Sequence, residues 1–316
     1  MREPGRVLSI EEGVETQVDA AVHKVDLLRT PWLFLVRTML AGAYIGIGVV
    51  IMVTAGGPLV QAGSPFAPLV NGLVFGVALT IVVVAGAELA TSAMMMLTQG
   101  AMRGRIGWGR AGLTLLAVLA GNLLGALVFA VLVHTSGIVA PGTAAGDTIA
   151  GMIEHKSQET TLQLVVRGIL CNLLVCLAVW CSTRLRSEGA KIAAIFACVM
   201  VFITSGFEHV VANMTTFWLG VLGGLPEATA AEFARNVLAV GLGNTIGGAV
   251  LVGAAYAYRP RAAHPTLTET LSETLHATLP DEPAAAAVDA SVEVPAPRVT
   301  ADTPSAASAP EQPVLR

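Results

Sequence analysis

The chain has 316 residues, of which 54% are hydrophobic and only 13% are charged, and its formal net charge is −4. Soluble globular domains have about 25% charged residues, so this composition excludes an ordinary soluble protein and indicates a membrane protein. No basic patch interleaved with aromatic residues suggests nucleic-acid binding. The four cysteines lie in apolar segments without CxxC or Cys/His spacing, so we expect no metal and no cofactor.

The first predicted element is an amphipathic helix within residues 1–30. Val14, Val18, Val22 and Val25 recur at helical spacing, with charged side chains on the other faces. We expect this segment to lie on the cytoplasmic side, ahead of the first membrane span.

Residues 31–260 are predicted to form a domain of six membrane spans. The first span is expected to end at Gly56-Gly57-Pro58, because glycine and proline interrupt helices. Residues 261–316 are rich in Ala and Pro and are predicted to be a disordered cytoplasmic tail. The predicted spans are 36–54, 69–85 with a resumption at 93–97, 108–133, 162–182, 191–222 and 233–258.

Two of these spans are interrupted by a glycine and a glutamate. Gly86-Ala87-Glu88 cuts the second span, and Gly206-Phe207-Glu208-His209 cuts the fifth. The segment 191–205 would cover only about 22 Å, less than the roughly 30 Å hydrocarbon core. Since an acid and an imidazole are costly in the membrane, the breaks indicate a path for a substrate or an ion.

The breaks belong to an internal repeat. Gly86-x-Glu88 recurs as Gly206-x-Glu208, and the Gly-Asn motif at Asn122 recurs at Asn244. Each half has three spans, an odd number, so the halves must insert with opposite topology. We interpret the Gly-Asn motifs as structural, because small residues allow close helix packing and a membrane asparagine finds an interhelical hydrogen bond. The sequence thus predicts an all-α membrane protein with an inverted 3+3 repeat.

The distribution of basic residues predicts the orientation of the chain. Cytoplasmic loops carry an excess of Lys and Arg, and here one set of connections is much richer in both. Both termini are therefore expected to be cytoplasmic. The basic residues on that side are Lys24, Arg29, Arg37, Arg103, Arg105, Arg110, Arg184, Arg186, Lys191, Arg259 and Arg261, against Lys156, Arg167 and Arg235 on the other.

His209 is the candidate substrate-path residue. An imidazole can donate a hydrogen bond, carry positive charge or transfer a proton near neutral pH, and a broken helix exposes N–H groups, so the site suits a small anion. Glu88 and Glu208 are unsuitable as anion ligands and are expected to support the breaks by accepting backbone N–H bonds. His209 could alternatively be a buried structural histidine or a haem ligand, although only His134 lies near another span end.

Four motifs resemble the formate/nitrite transporter family. They are the runs 85–92 (AGAELATS), 171–180 (CNLLVCLAVW), 206–214 (GFEHVVANM) and 243–248 (GNTIGG). The resemblance implies an aquaporin-like fold with interrupted second and fifth helices, assembled as a homopentamer with one pore per protomer. Ala90 departs from the Phe that the family commonly has, which would widen or loosen the cytoplasmic loop.

The resemblance also implies roles for particular residues. Thr91 and His209 would face each other as the gating and proton-donating pair, and Lys156 would draw anions into the outer vestibule. Glu88 and Glu208 are expected to support the loops. The remaining implied roles are the cytoplasmic constriction (Leu79, Leu89, Val175), the periplasmic constriction (Phe75, Phe202) and support of the broken helices (Asn172, Asn213).

Within the family the chain looks more like the nitrite branch, on the runs 41–44 (AGAY), 186–190 (RSEGA), 213–215 (NMT) and 242–245 (LGNT). The predicted function is therefore nitrite transport in the bacterial inner membrane, channel-like or proton-coupled, with His209 protonating the anion. A formate or hydrosulfide channel of the same architecture is the nearest alternative. A neutral-solute channel is less favoured because paired Asn-Pro-Ala boxes are absent, and no metal, nucleophile or haem set suggests an enzyme.

Overall fold

The computed structural model describes residues 7–258, and all the regular secondary structure within them is helical. The predicted tail at 261–316 lies outside the described residues. The helices are α1 (Ile10–Leu27), α2 (Pro31–Gln61), α3 (Ala67–Ala85), α4 (Ala90–Met102), α5 (Trp108–Thr135), α6 (Ala144–Gln158), α7 (Thr161–Arg184), α8 (Glu188–Thr204), α9 (Val210–Leu222) and α10 (Ala230–Ala257).

Five of these helices, α2, α3, α5, α7 and α10, are long and apolar enough to cross a membrane. Helices α8 and α9 have 17 and 13 residues, so each is shorter than the roughly 20 residues that a span requires. The outward faces of the long helices are apolar, as at the exposed Leu113, Leu116 and Leu132 of α5. Such faces suit contact with lipid rather than with water.

The prediction that Gly56-Gly57-Pro58 ends the first span is wrong. Helix α2 begins at Pro31, where a proline is favourable because the first N–H groups of a helix have no partner, and it continues to Gln61. Pro58 removes one N–H from the helical hydrogen-bond pattern, but it lies in the last turn and the helix continues past it to Gln61. A side chain on Gly57 would lie 2.7 Å from the carbonyl oxygen of Ala144, so the glycine allows α6 to pack closely there.

Helix α6 has no counterpart among the predicted elements. It is short and polar, and Thr143 caps it by accepting a hydrogen bond from the N–H of Gly146 at 3.0 Å. It packs against α2 and α9. Helix α1 is similarly capped, by Ser9 and Glu12, and buries Val14 and Val18.

Two short breaks separate α3 from α4 and α8 from α9. Gly86 ends α3 with φ 72°, and Gly206 follows α8 with φ 70°. This left-handed conformation is the one that glycine adopts at little cost and that other residues avoid, which explains a glycine at both positions. After the first break the chain becomes helical again at Ala90, three residues earlier than predicted.

The same pattern of helix packing occurs in both halves of the chain. Helix α2 packs against α3 and α5, and α7 packs against α8 and α10. The halves meet where α3 contacts α8, where α5 contacts α9 and where α4 contacts the end of α10. The two breaks therefore lie together in the interior of the bundle.

Candidate functional site

Thr91 and His209 meet where the two breaks come together. The Thr91 Oγ1 lies 3.1 Å from the His209 Nε2, and both residues are buried. His209 also caps α9, because its Nδ1 accepts the N–H of Ala212 at 3.2 Å. With Nδ1 acting as an acceptor, the proton of the neutral ring is on Nε2, and Nε2–H can donate to Thr91 or to a substrate.

The backbone of each break is held by an asparagine from a neighbouring span. The Asn122 Oδ1 accepts the N–H of Ala90 at 2.9 Å, and its Nδ2 donates to the carbonyls of Thr38 (2.8 Å) and Glu88 (2.9 Å). The side chain thus satisfies two backbone groups of the break, at Glu88 and Ala90, and ties them to Thr38 of α2.

Asn244 makes the same three contacts at the second break. Its Oδ1 accepts the N–H of Val210 at 2.9 Å, and its Nδ2 donates to the carbonyls of Gly168 (2.7 Å) and Glu208 (2.9 Å). The interhelical hydrogen bond expected of the Gly-Asn motifs is present, to Thr38 of α2 and to Gly168 of α7, and the same side chains also bond to the backbone of the breaks. The motifs therefore belong to the site, which the sequence alone did not indicate.

The carboxylate of Glu208 is bonded to side chains rather than to the backbone donors that we expected. The Lys156 Nζ lies 2.6 Å from both carboxylate oxygens, and the Asn213 Nδ2 donates to Oε2 at 2.6 Å. Asn213 in turn reaches the Asn236 Oδ1 at 2.7 Å. Lys156 is buried together with Glu208, so its charge is neutralised by a direct ion pair.

Glu88 has a corresponding partner at the first break. Its carboxylate is paired with the ammonium of Lys24 on α1, and both side chains are buried. Sequence reasoning missed this role of Lys24 and counted the residue only in the charge bias. No fixed spacing could reveal it, because Lys24 precedes Glu88 by 64 positions and Lys156 precedes Glu208 by 52.

Asn172 joins the halves near the Thr91–His209 pair. Its Nδ2 donates to the carbonyls of Thr91 at 3.1 Å and of Asn244 at 2.7 Å. It therefore links the start of α4 to the last span.

Two cavities approach the breaks. One has a volume of about 560 Å³ and is lined by residues that include Phe75, Lys156, Glu208, His209 and Asn213. The other has a volume of about 310 Å³, and Lys24, Arg37 and Glu88 contribute to its lining. Each cavity thus has a buried Lys–Glu pair in its wall.

The predicted constriction residues are buried apolar side chains. Leu79, Leu89 and Val175 belong to one buried cluster and line neither of these two cavities. The Phe75 and Phe202 ring centroids are 6.1 Å apart in an edge-to-face arrangement, and Phe202 stacks on His209, also at 6.1 Å. The apolar groups and the Thr91–His209 pair are therefore contiguous at Phe202.

A charged cluster borders the larger cavity at the end of α6. The Glu159 Oε1 contacts Arg167 and lies 3.2 Å from the His155 Nδ1. Burial and the neighbouring Glu208 raise the pKa of Glu159, against the opposing effect of Arg167. Arg235 donates to the carbonyls of Lys156 (3.1 Å) and Glu159 (2.9 Å), which fixes the last turn of α6.

Residues 7–258 contain no group of three or more His, Cys, Asp or Glu side chains that could hold a metal ion. His134, the candidate second haem ligand, is exposed in the last turn of α5. The arrangement offers hydrogen bonding and proton transfer at His209.

The paired breaks, the two cavities and the apolar helices define a membrane channel or transporter. The family model described as "Formate/nitrite transporter" matches residues 11–258. The chain belongs to the formate/nitrite transporter family, and it is accordingly a transport protein rather than an enzyme.

Similar proteins include both nitrite and formate transporters. The Nitrite transporter NirC of Escherichia coli (strain K12) is 39% identical over 245 residues, covering 76% of this chain and 88% of that protein. The Formate channel FocA of the same organism is 36% identical over 259 residues, covering 75% and 89%. A solved "FNT family ion channel" superposes with a TM-score of 0.74 at 37% identity, covering 79% of this chain and 100% of that one. A "Pentameric formate channel with formate bound" gives a TM-score of 0.61 at 29% identity, covering 72% and 96%.

Proposed function

We propose that the protein transports nitrite across the bacterial inner membrane, as a homopentamer with one pore per protomer and with both termini in the cytoplasm. The contact between Thr91 and His209 where the two breaks meet carries this proposal. Similarity to the Nitrite transporter NirC supports nitrite as the anion, and the pentameric formate channel supports the assembly.

The proposed architecture is an aquaporin-like inverted repeat of six spans. The second span would be α3 with α4, and the fifth would be α8 with α9. Support comes from the matching contacts of Asn122 and Asn244 and from the equivalent packing of α2 and α7. With an odd number of spans in each half, the two halves would be inverted relative to each other, so that one break would be open to each side of the membrane.

In this arrangement an anion enters a cavity and stops at the apolar constriction. A bare charge is too costly in a low-dielectric path, so the anion has to be neutralised before Leu79, Leu89 and Val175. A proton from the cavity converts His209 to imidazolium. The imidazolium N–H bond then breaks as an O–H bond forms on nitrite, which crosses as nitrous acid and leaves the ring neutral.

Glu88 and Glu208 support the loops in this proposal, through Lys24 and Lys156 rather than through the backbone. Phe75 and Phe202 close the outer side of the site. Asn172 and Asn213 support the starts of α4 and α9, the helices that follow the two breaks.

Flux into proteoliposomes containing the purified protein tests the proposal. Nitrite uptake should be driven by an inward proton gradient and should be lost in His209→Asn, which keeps a donor but cannot carry a proton. His134→Asn is the matched control, because that imidazole is exposed at the end of α5, and it should behave as the wild type. Nitrite uptake that is unchanged in His209→Asn would refute the role of the imidazole.

Formate is the second candidate substrate, since a formate channel is 36% identical and both substrates are small monovalent anions. Uptake of nitrite, formate and hydrosulfide should be compared in the same vesicles. Formate uptake without nitrite uptake would overturn the choice of anion while leaving the role of His209 in place.

A further inference from the structure

The vestibule-facing charge that we expected from Lys156 is largely cancelled in the structure. Its ammonium lies 2.6 Å from both carboxylate oxygens of Glu208, and both side chains are more than nine-tenths buried. A tight ion pair has little net field at a distance. An anion entering the larger cavity therefore meets little positive potential from Lys156.

His155 precedes Lys156 on α6 and lines the same cavity. Its side chain is 65% exposed, so the ring is in contact with solvent. Its Nδ1 lies 3.2 Å from the Glu159 Oε1, so that a protonated ring has an acceptor for one N–H and leaves the other available to the cavity.

The other charged groups around His155 have partners of their own. On its own helix Asp147 accepts hydrogen bonds from Gln61 at 3.1 Å and from the N–H of Gly142 at 3.0 Å, and Glu154 accepts one from Gln158 at 3.5 Å; these donors are uncharged. Glu159 is shared with Arg167 of α7.

The remaining groups come from neighbouring elements. Arg235 of α10 is paired with Glu232 and with the end of α6, and Glu208 of the second break is paired with Lys156. Helix α9, which packs on α6, has no ionisable side chain. Protonation of His155 therefore adds a positive charge at the exposed end of this cavity, away from His209, where the basic side chains are already held in ion pairs.

We propose that His155 is a pH-dependent anion-attracting residue of the outer vestibule, and that it recruits small monovalent anions when its imidazole is protonated. The inference rests on the proposed function. A histidine changes charge between about pH 5 and 8, so recruitment strengthens as the outside becomes acidic. Protons, the second species in the proposed transport, would thus also promote entry of the anion.

The expected effect is on anion capture rather than on turnover. At a separation of one Debye length, about 8 Å, and in surroundings between water and the protein surface, a unit charge changes the local anion concentration about two- to sixfold. The apparent KM should change by this factor, while the maximal rate, which is set at His209, should not.

The experiment measures nitrite and formate uptake into proteoliposomes at external pH 5.5 and pH 8, with wild type, His155→Asn and His155→Lys. His155→Asn should raise KM about two- to sixfold at pH 5.5 and leave it unchanged at pH 8. His155→Lys should restore a low KM and hold it at both pH values. High ionic strength should reduce these differences, because salt screens exposed charges.

His155 is exposed, so its substitution should not disturb folding, and a change in KM can be attributed to the side chain itself. His134→Asn is the control for loss of an exposed imidazole. A KM ratio between His155→Asn and wild type that is the same at both pH values would overturn the inference. So would a His155→Lys variant with no tighter capture at pH 8. Uptake of formate alone would refute nitrite as the substrate while still testing His155, and uptake of neither anion would overturn both proposals.

Discussion

Replacing Asn244 by leucine tests whether the asparagine side chains hold the breaks together. Leucine has a similar size but would leave the N–H of Val210 and the carbonyl of Glu208 without partners, whereas the carbonyl of Gly168 lies inside α7 and keeps its helical hydrogen bond. Each buried polar group left unsatisfied costs about 1–3 kcal/mol. Measured polar contacts between membrane helices lie near the lower end of this range, so we expect a total loss of about 2–3 kcal/mol for the two groups.

The assay is thermal unfolding of the purified protein in detergent. A loss of this size should lower the apparent Tm by roughly 5–8 °C for a chain of this length. Asn122→Leu should behave similarly, because Asn122 makes the equivalent three bonds. Asn71→Leu is the matched control, since the buried Oδ1 of Asn71 has no hydrogen-bond partner among the described residues. If Asn244→Leu destabilised the protein no more than Asn71→Leu, the reasoning about the breaks would be refuted.

Three further predictions concern the same site. Thr91→Val keeps the shape of the side chain but removes the hydroxyl that contacts His209, so nitrite uptake should fall at least tenfold while the Tm changes little. Glu208→Gln leaves the buried ammonium of Lys156 without its counter-ion and should cost about 3–5 kcal/mol, which the double variant with Lys156→Met should recover in part; a double variant less stable than the single one would contradict this. The pKa of Glu159 is raised in the folded protein, so ionisation of this carboxyl disfavours the folded state once the pH exceeds the pKa of the unfolded chain. The difference in Tm between Glu159→Gln and wild type should therefore increase in favour of the variant from pH 4 to pH 7. A difference that does not change with pH would contradict the raised pKa.

The breaks themselves were predictable because their signal is local. A glycine followed by a glutamate inside an apolar run predicts an interruption, and Gly86 and Gly206 do adopt left-handed φ values. The resemblance to a known family placed Thr91 beside His209, and the two side chains are in contact.

The contacts that hold the breaks could not be predicted in the same way. Asn244 bonds to the carbonyl of Gly168, 76 positions away, and a backbone acceptor has no sequence signature. Helix α6 was missed because it is polar and short, and with it the burial of Lys156 against Glu208. Gly57 was misinterpreted because a glycine that allows two helices to touch looks the same in sequence as one that ends a helix.

The Asn122 contacts have a consequence for biosynthesis. Every backbone group that Asn122 satisfies lies before it in the chain, at Thr38, Glu88 and Ala90. A nascent chain that has emerged only as far as α5 can therefore already satisfy the exposed backbone groups of its first break. The first half can therefore enter the membrane with the backbone of its break already supported, whereas the contacts between the halves, including that of Thr91 with His209, form only after the second half has been synthesised.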